Sequence, residues 1–268
     1  MGMPVRRKLA IASWSSPREG NIYGKLTLDC TEVLRYVAHL RETTGERVSI
    51  SHVIGRAVAL ALAEVPSLNG RIVFDVFKPY PTVAITYLVA LEGGKNLAKV
   101  KIDDADKKSV LDITRELRGA AEKVRSGKDD SFNKSMAPLK LMPVWLIRPI
   151  LRISGWLASA LGVSIPALGV EKFAFGGAIL TNVGVFGLDE GFAPPTPFAR
   201  VPIYVLLGAV RDRPWVHEGQ LEVRPQITVT ATIDHRFIDG AQGAVLARTM
   251  REVFADPWAL DGLERPAE

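Results

Sequence analysis

Thr232-Ile233-Asp234-His235-Arg236-Phe237-Ile238-Asp239-Gly240 ends one kind of pattern and begins another. Upstream, Gln226 to Ile233 alternates Ile227, Val229, Ala231 and Ile233 with Thr228, Thr230 and Thr232, as a strand with one face on a core would. Downstream, Ala241 to Phe254 reads as a helix. A histidine placed where a core strand stops is held on one side and open to a cleft on the other, which suits a general base. Asp239, with Gly240 behind it, can fix the turn by pairing with a cation elsewhere. A histidine after a strand is also a common structural feature, so this pattern alone leaves both readings open.

Working outward, Glu218-Gly219 marks a hairpin, Ile203 to Val210 a buried strand, Gly191 to Pro202 a proline-rich loop and Ala174 to Thr181 another strand. Near the other end, Gly24 to Asp29 predicts a strand. Thr31 then caps a helix from Glu32 to Thr44 with Leu34, Val37 and Leu40 on one face, ended by Gly45. Ser51 is the expected cap of a second, largely buried helix, with His52 in its first turn as a capping or surface residue. Val83 to Leu91 predicts a central strand covered on both faces, followed by a Gly93-Gly94 turn and an extended run from Leu97 to Ile102. Ser109 caps a polar helix that runs to Arg125 and closes at Ser126-Gly127-Lys128.

With 268 residues, 47% apolar and 24% charged, the chain can bury the core of one large α/β domain and does not read as disordered or collagenous. Its formal charge of +5 comes from scattered residues, so no nucleic-acid partner is expected. The one cysteine, Cys30, excludes an internal disulfide and a multi-cysteine metal site, fits a reducing compartment and reads as packing. No metal is expected. The N-terminus has no apolar core or cleavage site of a signal peptide, which predicts a cytoplasmic protein.

Ala137 to Val170 differs in composition from its surroundings: two of the five Trp, four of the 17 Pro, three basic residues (Lys140, Arg148, Arg152) and no acid. Its longest uncharged run, Ile153 to Val170, is 18 residues and is broken by Gly155, Gly162 and Pro166, which argues against a transmembrane span. Three readings stay open: a peripheral contact with the inner face of a membrane, a lid over an apolar substrate channel, and a subunit contact.

Asp234-His235-Arg236-Phe237-Ile238-Asp239-Gly240-Ala241 resembles the Asp-His-Arg-x-x-Asp-Gly-Ala signature of the catalytic domain of dihydrolipoyl acyltransferases, the core subunits of 2-oxo acid dehydrogenase complexes. Chloramphenicol acetyltransferase belongs to the wider superfamily. Pro66-Ser67-Leu68-Asn69-Gly70 is similar to the family's Pro-x-Leu-Asn helix end. Ala105-Asp106-Lys107-Lys108-Ser109 and the run Ala121 to Lys128 resemble the borders of its polar helix. Gly176-Gly177 through Thr181-Asn182-Val183-Gly184-Val185-Phe186-Gly187 resembles its Gly-Gly…Ser-Asn-x-Gly-x-x-Gly element, one residue shorter, and Asp256-Pro257 matches its ending.

The resemblance implies an α/β two-layer sandwich, a mixed sheet with helices on one face, spanning 1–268 as a single catalytic domain with 137–170 inserted. It implies a coenzyme A-dependent acyltransferase, with His235 as base toward a coenzyme A or dihydrolipoyl thiol and Thr181 where the family carries its oxyanion-stabilising serine. Asp239 would be the structural aspartate braced by an arginine, for which Arg6 or Arg7 is the candidate. Arg236, Asn182, Gly184 and Gly240 would be supporting residues. A homotrimer is implied, with the histidine of one subunit facing the hydroxyl of its neighbour.

Besides the insertion, the chain departs from the family in four ways. It shows no lipoyl or peripheral subunit-binding domain, so no covalently bound lipoate is expected and an acyl-lipoyl or other carrier protein would be a separate partner. Lys95, Lys99 and Lys101 stand beside the coenzyme channel, either for coenzyme A phosphates or as a solvated edge strand. Thr181 replaces serine, which leaves a catalytically weak trimeric scaffold as the alternative function. Trp258, Leu260 and Leu263 are interspersed with charges, which predicts trimers rather than a cage.

Overall fold

The computed structural model describes residues 20–91, 96–126, 142–166 and 170–266. In chain order the first elements are β1 (Asn21–Asp29), α1 (Thr31–Thr44), α2 (Ile50–Glu64), β2 (Gly70–Val73), β3 (Val76–Pro79), β4 (Ile85–Leu91), β5 (Asn96–Ile102) and α3 (Val110–Arg125). They are followed by α4 (Val144–Gly155), β6 (Ala178–Asn182), β7 (Ile203–Leu207), β8 (Arg211–His217), β9 (Gln220–Asp234) and α5 (Gly240–Ala255).

The main sheet has the order β1-β9-β7-β6-β4-β5, with β8 pairing the first half of β9. Only the β4–β6 and β6–β7 pairs are parallel, so the sheet is mixed. β9 is long because it serves two partners in turn. Its start forms a hairpin with β8 and its second half is sandwiched between β1 and β7. The hairpin turns on Glu218 and Gly219, both at positive φ, as a two-residue turn matching strand twist requires.

One face of the sheet carries the core. Leu28, Ile85, Tyr87, Leu180, Val205, Ile227 and Val229 meet buried residues of α1, α2, α3 and α5. α2 has little polar surface because it lies in the middle of that layer, with Val53, Ile54, Ala57, Ala61 and Leu62 all buried. Gly55 is obligatory there: a Cβ would lie 1.7 Å from the Tyr87 hydroxyl.

The other face is covered too. Thr228, Thr230 and Thr232 are buried, and the Thr230 hydroxyl donates to the Gly191 carbonyl. Ile179 and Tyr204 pack there against Ala199 and Val201 of the proline-rich loop. The alternation of β9 therefore separates two buried faces of different polarity. α4 lies outside the main helical layer; its Gly155 packs against Phe198, so closely that a Cβ would meet the Phe198 carbonyl at 2.4 Å. Pro149 sits inside α4, and no helix among the described residues is long and apolar enough to cross a membrane.

Several local expectations shift. Thr31 does not cap α1: Asp29 accepts from both the Thr31 N–H and its hydroxyl, at 2.9 and 2.6 Å. Leu34 is 37% exposed, and Val33 and Tyr36 take its place inward. Ser49, not Ser51, caps α2, with His52 completing the capping box. β6 starts at Ala178 rather than Ala174 because Gly176, at φ 67°, turns the chain first. β7 stops at Leu207, where Gly208 lies against the Asp189 backbone too closely for any side chain. The Gly93-Gly94 turn and Gly127-Lys128 lie outside the described residues.

Candidate active site

His235 sits one residue beyond β9, in a turn pinned at both ends. Its N–H donates to the Gly20 carbonyl at 3.0 Å, and Phe237 and Ile238 bury themselves in the core. Arg236 folds back onto the carboxylate of Asp234. The imidazole is exposed, with Nδ1 2.6 Å from the Ile238 carbonyl oxygen. A carbonyl can only accept, so Nδ1 carries a proton, and in the neutral ring the lone pair lies on Nε2.

Asp239 caps α5. Its carboxylate accepts from the Ala241 N–H at 2.8 Å, and the Gln242 side chain accepts from the Asp239 N–H at 2.9 Å. The arginine partners expected for it, Arg6 and Arg7, lie outside the described residues. Gly240, the first helical residue, has open space where a Cβ would stand.

Thr181 lies near the end of β6, on the face away from the main helical layer. Leu88 and Leu206 flank it in register, and its hydroxyl has no hydrogen-bond partner among the described residues. The strand end is held firmly. Asn182 donates to the Ser51 hydroxyl at 2.9 Å and accepts from the Val185 N–H, while Gly184 lies against Gly208, where a Cβ would meet the carbonyl at 2.4 Å. Ser51, misplaced as a cap by its sequence context, thus anchors the Thr181 strand to α2.

The structure keeps His235 and Thr181 of one chain apart. Thr181 is in register with Leu206, and Leu206 with Thr230, five residues before His235. At about 3.3 Å per residue and about 4.8 Å per strand, the two stand roughly 19 Å apart, toward opposite ends of the sheet. They can meet only across two copies of the chain.

The model of the 2-oxoacid dehydrogenases acyltransferase family (catalytic domain) matches residues 12–132 and 167–261. The chain belongs to this family. It is therefore an acyltransferase catalytic domain by descent. Related proteins include the mitochondrial dihydrolipoyllysine-residue succinyltransferase component of the 2-oxoglutarate dehydrogenase complex of Saccharomyces cerevisiae, 26% identical over 226 residues, 83% of this chain and 39% of that protein. The acetyltransferase component of the pyruvate dehydrogenase complex of Rickettsia bellii is 27% identical over 211 residues, 79% of this chain and 40% of that protein. The domain thus spans about two-fifths of the length of these relatives.

Among solved structures, a probable dihydrolipoamide acetyltransferase from Listeria monocytogenes superposes with a TM-score of 0.67 at 19% identity, covering 94% of this chain and 89% of that one. Chloramphenicol acetyltransferase superposes at 0.50 and 11% identity, covering 94% and 96%. Both show the shared fold.

In the acyltransferase domain, Lys99 and Lys101 lie on edge strand β5. Lys99 contacts Glu171 at 3.5 Å and the Ala174 carbonyl at 3.1 Å, and Lys101 pairs with Asp103 at 3.0 Å. Lys95 lies outside the described residues. Lys99 shares a register row with Leu88 and Thr181, which places it two strands from the free hydroxyl.

Residues 133–166 fall between the two stretches that the family model matches. Their described part joins the His235 turn through the β2–β3 hairpin. Trp156 stacks edge-on against Phe74 at 6.0 Å, and Phe77 against Phe237 at 6.3 Å. Arg71 of β2 donates to the Ala160 carbonyl at 2.7 Å and lies over the Phe173 ring at 4.4 Å. Sequence reasoning misses this bridge; an arginine inside a short apolar strand is its one signal.

Proposed function

We propose that the domain transfers an acyl group between a coenzyme A thioester and a thiol acceptor, such as a dihydrolipoyl group on a separate carrier protein. The observation that carries this reading is the orientation of His235, whose Nδ1 is committed to the Ile238 carbonyl and whose Nε2 is free. Nε2 takes the proton from the incoming thiol, and the thiolate attacks the thioester carbonyl carbon. The carbonyl electrons move to oxygen, which accepts a hydrogen bond from the Thr181 hydroxyl of a neighbouring copy. Collapse expels the donor thiolate, which recovers the proton from Nε2.

The 19 Å separation within one chain supports an interface site and hence a homotrimer. In the dihydrolipoamide acetyltransferase of Azotobacter vinelandii, a serine, a histidine and an asparagine have been investigated for their role in the catalytic mechanism, the last two spaced as His235 and Asp239 are. An acyl-CoA panel with a thiol readout tests the proposal. His235→Ala should lower turnover by about 10²–10⁴-fold, and wild-type turnover left untouched by that change would sink it.

The Thr181 methyl favours the second reading, a weakly catalytic trimeric scaffold; it requires that calorimetry detect no coenzyme A binding at millimolar ligand. Trp145 and Ile153 on α4, 75% and 60% exposed beside Arg148 and Arg152, support a peripheral contact with an anionic membrane from the cytoplasmic side. Equal flotation with anionic liposomes, with and without residues 137–170, would remove it.

A further inference from the structure

An apolar cavity of about 230 Å³ lies between the sheet and helices α2 and α5. It begins at the free edge of the sheet, beside exposed Tyr23 on β1, and reaches inward to buried Val58 and Leu62 on α2. Val205 and Val229 form its floor and Leu246 and Met250 part of its roof. Three lining residues carry polar side-chain groups: Lys25 pairs with Glu190, the Thr230 hydroxyl is bonded to Gly191, and exposed Tyr23 packs edge-on against Phe192. The rest of the lining is apolar side chains and glycines, so the space suits a hydrocarbon.

Small residues keep the cavity open. At Gly243 on α5 a Cβ would meet nothing within 4 Å, and at Gly24 on β1 the nearest atom is the Ala231 Cβ at 4.0 Å. Ala61 and Ala247 line it as well. Glycine in a helix interior weakens the helix, and close-packed cores do not normally leave a void of this size. A side chain at 243 would meet no clash, so the glycine there is one of the residues that leave this space open.

The cavity also adjoins the catalytic turn. Ile22 and Ile233 line it and pair with each other, two residues before His235 in β9 and two after the Gly20 carbonyl that holds the His235 N–H. That puts its near end within about 7 Å of the His235 backbone. Gly240 opens α5 at that turn and Gly243, three residues on, lines the cavity, both with open space where a Cβ would stand.

We propose that this cavity receives the aliphatic chain of the acyl group, so that the domain takes acyl thioesters of medium chain length. A cavity of about 150 Å³ lined by aliphatic residues holds benzene, so this one accommodates roughly six to eight carbons. The proposal rests on the acyl-transfer reading above, and deepens it by naming the substrate class.

The test compares kcat/KM for acetyl-, butyryl-, hexanoyl-, octanoyl- and lauroyl-CoA in the wild-type protein, in Gly243→Leu and in Ala247→Leu. The expected result is a wild-type optimum at hexanoyl or octanoyl, and a fall of about tenfold or more in the octanoyl-to-acetyl ratio in each variant that folds. A flat wild-type profile, or an unchanged ratio in a folded variant, overturns the proposal. Calorimetry with 1-octanol separates the two levels. If no acyl-CoA is turned over but octanol binds the wild type and not the filled variants, the acyl-transfer reading fails and the alkyl site stands. Absence of octanol binding to the wild type overturns the site whether or not acyl transfer is observed.

Discussion

His235 and Thr181 illustrate how little of a side chain's role is set by its own chemistry. The imidazole is oriented because a carbonyl three residues on claims Nδ1, and the threonine hydroxyl is flanked in register by two leucines. Thr181→Ala should lower kcat by about 10²–10³-fold with little change in KM, whereas Thr181→Ser should retain or raise activity. Steady-state kinetics on the acyl-CoA panel check this.

His52 makes a second prediction at the same scale. Burial, with Arg41 nearby, pushes its pKa down to about 4. The neutral ring accepts from the Ser49 N–H at 3.2 Å and contacts the Thr114 hydroxyl at 2.7 Å. A histidine pKa lowered on folding contributes stability that is complete above the unfolded value of about 6.5 and is lost as pH falls toward 4. Denaturation midpoints should therefore drop between pH 7 and pH 4.5, by an amount equivalent to about 1–3 kcal/mol, and His52→Gln should flatten that drop. The capping half of its sequence reading holds; the surface half does not, because α3 covers the ring through Thr114.

Among the elements, those with a strong local period are legible in the sequence and those whose ends depend on neighbours are not. β9 follows from alternation, α3 from its Ser109 cap and the Glu218-Gly219 hairpin from its turn residues, while α5 follows from its helical run but not from its Asp239 cap, for which the sequence suggests an arginine partner instead. β6 and β7 are shorter than their apolar runs, which continue past the points where Gly176 turns the chain and Gly208 meets another backbone. The composition of 137–170 marks it as different, but the attachment of its described part draws on Arg71 and Phe74, contributed by a hairpin far away in sequence. Arg71→Ala should loosen that attachment. Hydrogen exchange in 142–166 should rise at least severalfold while α2 and β9 remain protected, since the lost bond to a charged donor is worth about 1.5–3 kcal/mol. Removing the Asp239 cap with Asp239→Ala should cost about 1 kcal/mol in stability, measured by urea denaturation.

For the whole molecule, the separation of His235 from Thr181 makes the proposed acyl transfer depend on assembly. If the two act across copies, inactive His235→Ala and Thr181→Ala proteins should complement one another. Mixed, dissociated and reassembled at equal amounts, they should recover about one quarter of wild-type activity, because one interface in four then pairs an intact histidine with an intact threonine. Recovery of nothing would place both groups in a different arrangement. The C-terminal Trp258 is already engaged within the chain, packed against Tyr36 and His39 of α1.

The nature of the domain was decided locally: alternating and helical periods set the kinds of element, and the ordered motifs around Thr181 and His235 marked the family, because backbone periodicity and short motifs are written in adjacent residues. Tertiary structure alone decided which nitrogen of His235 is bonded to a carbonyl, that His235 and Thr181 of one chain stand far apart, that the threonines of β9 are buried, and where the apolar cavity lies. Each of these depends on register between strands or on the space left between layers, quantities to which residues far apart in the chain contribute together.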